Sequence, residues 1–234
     1  MPNILIVGAS RGLGAELTKQ YSDRNDHVYA TARSDKHPPS SPKITYIPNI
    51  DIAKEDAGSK LASAIGKNGL DTVIITAGYF ATESFDEPRW EEEVKMYTTS
   101  AIGPVFLVHH LVKAGLLSLG AKVILVSSES GSITLRHESE GGGNYGHHSS
   151  KAALNMVGKL LSLDLKERGI AVGIVHPGFM RTEMTRGVGF DKYWDEGGAV
   201  APDVAATSLI AFVDGFDIGS TGEYWAPRGP RWVV

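Results

Sequence analysis

Short apolar runs alternate along the chain with longer stretches whose apolar residues recur every three to four positions, the pattern of strands each followed by a helix. Residues 4–7, 27–32, 44–47, 72–75, 123–126 and 170–175 read as strands, with a short last one near 223–225. Helices are predicted over 13–24, 53–65, 149–167 and 201–212, and a long one over 89–117 that Gly103-Pro104 bends. The alternation predicts an α/β fold of Rossmann type: a doubly wound parallel sheet in a three-layer sandwich, with residues 1–234 forming one domain.

Composition narrows the chemistry. The chain has 234 residues and no cysteine, which excludes a disulfide scaffold, a thiolate nucleophile and a cysteine-ligated metal. Lys and Arg total 23 against 27 Asp and Glu, a net charge of −4, so a nucleic-acid partner is not expected. Met1-Pro2-Asn3 and the four-residue apolar run after it lack the basic segment and the longer apolar stretch expected of a secretory signal, and no run has membrane-spanning length. A cytoplasmic protein that touches no membrane is the expectation. The eight histidines invite a metal reading, but the adjacent His147 and His148 point about 100° apart on a helix, and no metal site is predicted.

Glycine clusters mark the candidate chemistry. Gly8, Gly12 and Gly14 lie between the first strand and the first helix, where tight turning lets a pyrophosphate approach the backbone and the helix N-terminus attracts the anion. Ser10, Arg11 and Leu13 belong to the same turn. The second strand ends in Ala32-Arg33 with no acid before Asp35; paired guanidinium groups from Arg11 and Arg33 suit a 2′-phosphate, which favours NADP(H) over NAD(H). Asp35 would reverse that preference if its loop brought it to the ribose.

The run from Gly8 to Gly14 resembles the first-turn motif of the short-chain dehydrogenase/reductase family, Gly-x-x-x-Gly-x-Gly, and the resemblance extends over nearly the whole chain. Asp51 and Ile52 stand where the family has its acidic residue near the adenine, and Thr76-Ala77-Gly78 where it has Asn-Asn-Ala-Gly. Ser127 to Gly131 resembles the catalytic serine segment, Ser150 to Met156 the active-site helix, and Pro177-Gly178 with Thr182 the nicotinamide loop. The ending, from Gly222 through Gly229 to Trp232, is similar to the small carbonyl-reductase and C-signal-like branch. The resemblance implies an oxidoreductase that interconverts a carbonyl and an alcohol, working as a homodimer or homotetramer.

Within the pattern two roles change residue type. Lys151 matches the family's lysine and Ser128 its serine, but the position four before Lys151 is His147 and not tyrosine, and Ser100 stands where the family has asparagine. Three readings stay open. The imidazole of His147 replaces the phenol; or Tyr145, about 120° round the helix from Lys151, reaches the substrate from an irregular first turn; or the site has become a non-redox binding pocket or serves isomerisation or elimination. Residues 183–200 are expected to form a lid, and Phe190, Tyr193 and Trp194 within it, with Tyr79-Phe80 opposite, suggest a small or medium apolar or aromatic substrate.

Overall fold

The structure, a computed structural model, describes residues 1–226 and the backbone of 231–232. Strands β1 (Asn3–Val7), β2 (His27–Thr31), β3 (Ile44–Ile47), β4 (Leu70–Ile75), β5 (Leu117–Val126), β6 (Ala171–Val175), β7 (Tyr224–Trp225) and β8 (Arg231–Trp232) form one sheet in the order β3-β2-β1-β4-β5-β6-β7-β8. All neighbours pair in parallel except β7 with β8. The strand order reverses between β1 and β4, which opens a crevice beyond the carboxyl ends of these strands. Gly229 lies outside the described residues.

Among the described residues seven α-helices accompany the sheet: α1 (Gly12–Asp23), α2 (Ala57–Ile65), α3 (Trp90–Tyr97), α4 (Gly103–Lys113), α5 (Tyr145–Leu165), α6 (Glu183–Gly187) and α7 (Pro202–Gly215). Two cores result. Leu61 of α2, Leu107 and Leu111 of α4 and Leu154 of α5 pack with Leu5, Val73, Val123 and Val172 on one face. Leu13 and Leu17 of α1 and Leu209 and Val213 of α7 pack with Ile4, Ile6, Ile74 and Ile124 on the other. Alternate residues of each strand thus feed opposite layers, as buried parallel strands require.

Two expected elements differ. The predicted long helix over 89–117 is two helices joined by a π turn, Thr98–Ile102, and Pro104 falls in the first turn of α4, where its missing N–H is harmless. α4 stops early because Gly115 adopts φ +70 and donates to the Val112 carbonyl, which frees 117–122 to extend β5. The helix predicted over 149–167 begins four residues sooner, at Tyr145, and its first turn carries His147.

Candidate active site

A cavity of about 1060 Å³ opens above the carboxyl ends of the central strands. At one end lies the turn after β1. Gly8 has φ +94, and a Cβ there would lie 2.8 Å from the Ala77 backbone; one on Gly14 would lie 2.2 Å from the Gly8 carbonyl oxygen. Each glycine is therefore demanded by backbone packed against it. Thr76 Oγ1 donates to the Val7 and Gly8 carbonyls (3.0 and 3.2 Å), and Gly8 N–H donates to Thr31 Oγ1 (3.0 Å). α1 starts with no side-chain cap and no acid in its first turn, so its positive end faces the cavity.

Ser10, Arg11, Gly12, Leu13, Arg33, Asp51, Ile52, Ala77 and Gly78 all line this cavity, as do Pro177, Gly178 and Thr182. The two arginines differ. Arg33 is exposed at the rim, whereas Arg11 Nη1 lies 3.2 Å from Glu183 Oε2 of α6. Asp35 accepts from Asn49 Nδ2 (2.9 Å) and does not line the cavity.

Ser128, His147 and Lys151 line the other end. Ser128 Oγ accepts from Ser130 N–H (3.2 Å) and keeps its own proton to donate. Lys151 is 8% exposed; its Nζ donates to the Val126 carbonyl (2.9 Å), and burial lowers its pKa to about 8. Behind it, Ser127 Oγ donates to Asn155 Oδ1 (2.6 Å) and Asn155 Nδ2 to the Gly131 carbonyl, locking the serine loop onto α5. Gly131 permits this approach, since a Cβ there would sit 2.6 Å from the Lys151 carbonyl carbon.

The His147 ring stacks on Phe80 with centroids 4.0 Å apart, and its Nδ1 is buried without a hydrogen-bond partner. Burial first, then the Lys151 charge, lowers its pKa to about 3, so the ring is neutral across the physiological range. His148 is tied elsewhere: Nδ1 lies 2.8 Å from the Asn144 carbonyl and Nε2 3.1 Å from Arg136 Nη1. No group of three or more His, Asp or Glu able to hold a metal occurs among the described residues.

Two candidates from the sequence fall outside this assembly. Tyr145 heads α5 but is 41% exposed and does not line the cavity; its hydroxyl lies over Gly142. Ser100 sits in the π turn, 1% exposed, its Oγ without a partner and away from the cavity lining. Thr31, Glu129 and Lys95 also line the cavity, although no motif marks these three residues individually. Lys95 is visible in the sequence only as a solvated helix position, yet its Nζ lies 3.7 Å over the Tyr79 ring.

The region 183–200 borders the cavity and is tied together by bonds of its own. Thr182 caps α6, Trp194 Nε1 donates to Thr185 Oγ1 (3.2 Å), and Arg181 donates to the Ala199 carbonyl and Asp195. Phe190 meets Phe80 edge to face (5.5 Å) and Tyr193 meets Phe190 (6.1 Å); both line the cavity, while Trp194 packs within the lid.

The chain is 28% identical over 226 residues to the 1-hydroxy-2-glutathionyl-2-methyl-3-butene dehydrogenase of Rhodococcus sp. strain AD45, covering 96% of each protein. Among solved structures it resembles the NADPH-bound carbonyl reductase from chicken fatty liver (TM-score 0.83, 22% identity, 100% and 99% of the two chains). It also resembles a carbonyl reductase from Pseudomonas aeruginosa (TM-score 0.80, 25% identity, 99% of each). The sequence model of the short chain dehydrogenase family matches residues 2–192, and the chain belongs to that family of oxidoreductases.

Proposed function

We propose that the protein is an NADP(H)-dependent carbonyl reductase or alcohol dehydrogenase in which a neutral imidazole, His147, takes the place of the family's phenol. The observation that carries the reading is the convergence of Ser128, His147 and Lys151 on the end of the cavity opposite the glycine turn, while Tyr145 lies outside it. The glycine turn fits a dinucleotide: its backbone leaves room that a Cβ would fill, and the uncapped start of α1 matches a pyrophosphate. Arg33 and Arg11 would hold the 2′-phosphate, Arg11 by exchanging Glu183 for it, and Asp35 is engaged by Asn49. Asp51 and Ile52 would border the adenine, and Ala77, Gly78, Pro177, Gly178 and Thr182 the remainder. When bound, the nicotinamide supplies or accepts a hydride at the substrate carbon.

The chain's own residues handle the oxygen. Ser128 donates a hydrogen bond to it. His147, neutral with a pKa near 3, works as a hydrogen-bond donor that polarises the carbonyl; it does not cycle through imidazolium. Lys151 carries the mobile proton, since its Nζ has donors left beyond the bond to Val126 and its pKa is about 8. Phe80, Phe190 and Tyr193 shape an apolar, aromatic-walled substrate site that excludes water. Exposed apolar residues at helical spacing on the π turn and α4 (Ile102, Phe106) and on α5 (Met156, Leu160, Leu163) supply a face for pairing subunits.

The test is NADPH oxidation followed over a panel of aryl and alkyl ketones, aldehydes and a glutathione-conjugated aldehyde. His147→Ala is expected to lose about a hundredfold in kcat and Tyr145→Phe less than twofold. Tight NADPH binding with no turnover on any carbonyl would overturn the oxidoreductase reading, and loss confined to Tyr145→Phe would overturn the role of His147.

A further inference from the structure

The first turn of α5 is capped from far away in sequence. Asn144, in the left-handed conformation at φ 52, makes no side-chain bond to the helix it precedes. The Glu83 carboxylate does so: Oε1 accepts from Gly146 N–H (2.6 Å), one residue before His147, and Oε2 accepts from Arg89 N–H (3.1 Å) at the start of α3. The backbones are clamped as well. Asn144 N–H donates to the Glu83 carbonyl (3.0 Å), and Glu83 N–H donates to Asn144 Oδ1 (3.3 Å).

The same loop carries Phe80, whose ring lies against the His147 imidazole, so one short segment sets both the face and the base of that residue. Room for this is made by Gly146, where a Cβ would lie 2.5 Å from Met96 Cε and 2.9 Å from Glu93 Cγ. Glu93 borders the cluster: burial and then the Glu83 charge raise its pKa. A carboxylate at the N-terminal turn of a 21-residue helix also complements the helix dipole.

We propose that Glu83 is a positioning residue for His147: its carboxylate ties the turn at Gly146 to the start of α3 and so fixes the imidazole against Phe80 at the substrate oxygen. The inference rests on the proposed role of His147. Glu83 touches neither substrate nor nucleotide, and acts only through the turn.

The experiment is a double-mutant cycle on the full chain, with kcat counted per NADPH-binding site so that unfolded protein does not contribute. Glu83→Gln is expected to lower kcat about tenfold with the NADPH dissociation constant within twofold of wild type, and Glu83→Ala to lower it further. In a His147→Ala background Glu83→Gln is expected to change kcat less than twofold, because the residue it positions is gone. Should the Glu83 variants fail to fold, Asn144→Gly takes their place. It tolerates the left-handed backbone, removes the acceptor for Glu83 N–H, and is expected to cost about threefold in kcat in the His147 background only.

Equal losses in both backgrounds, or an unchanged kcat beside a lowered melting temperature, would overturn the proposal by making Glu83 a fold residue. Failure of the underlying reading is seen separately, as wild-type kcat in His147→Ala alone.

Discussion

At the end of the cavity formed by Gly8, Gly12 and Gly14, a methyl added to Gly8 or Gly14 would strike a Cα or a carbonyl oxygen, and Gly12 holds a backbone at φ +55 that favours glycine. At the end formed by Ser128, His147 and Lys151, side chains line the space, and Phe80, Phe190 and Tyr193 form an aromatic wall. The first end can be built in few ways, because glycine has no substitute where a Cβ clashes. The second accepts a change of residue type, since a ring of similar size and polarity fits between Phe80 and α5 without disturbing Lys151. In the proposed function, nucleotide binding thus rests on geometry that tolerates little, and the oxygen chemistry on side chains that admit replacement.

The largest effect expected from breaking this contrast is at Gly14. Gly14→Val would drive a branched side chain into the Gly8 carbonyl and Thr76 Oγ1, and it should abolish NADPH binding, with loss of the cooperative melt or a drop of about 3 kcal/mol or more in stability. NADPH fluorescence titration with a thermal melt reads both. Next is Arg33→Asp, which should weaken NADPH by about tenfold to a hundredfold while leaving NADH within a few-fold, measured by isothermal titration of each nucleotide. Equal weakening of both would remove the 2′-phosphate from Arg33. Smallest is Ser100→Ala. Its hydroxyl is buried without a partner and lies off the cavity, so kcat should change less than about twofold and stability should hold or rise by up to about 1 kcal/mol, read from a denaturant titration.

The same contrast explains what the sequence disclosed. β1, β4, β5 and β6 were legible because strands buried on both faces are nearly continuous apolar runs, and the glycine turn because its residues are adjacent in the chain. The π turn at 98–102 was not, because one extra residue per turn leaves an apolar helical pattern almost intact. The early start of α5 was hidden for a different reason. Its cap is Glu83, more than 60 residues away, and the space for Gly146 is set by Met96 and Glu93, so no local signal marks it. The placement of Tyr145 outside the cavity and of His147 and Lys151 within it does follow from helical rotation once the helix is known to begin at 145. Engagement of Arg11 by Glu183 required the lid's position, which no spacing rule supplies.

The proposed chemistry turns on two protonation states. Lys151 has its pKa lowered to about 8, so its charged form is present below that value and lost above it; His147, lowered to about 3, stays neutral from mildly acid pH upward. The most direct measurement is the pH dependence of kcat for carbonyl reduction by the wild-type enzyme and by His147→Ala, from pH 5 to 10 with NADPH saturating. Both are predicted to be flat at low pH and to fall near pH 8 as Lys151 loses its proton, with the His147→Ala curve lower by about a hundredfold and unchanged in shape. A limb near pH 6.5 in the wild type that disappears in His147→Ala would contradict the account, because it would show an imidazole that titrates during turnover.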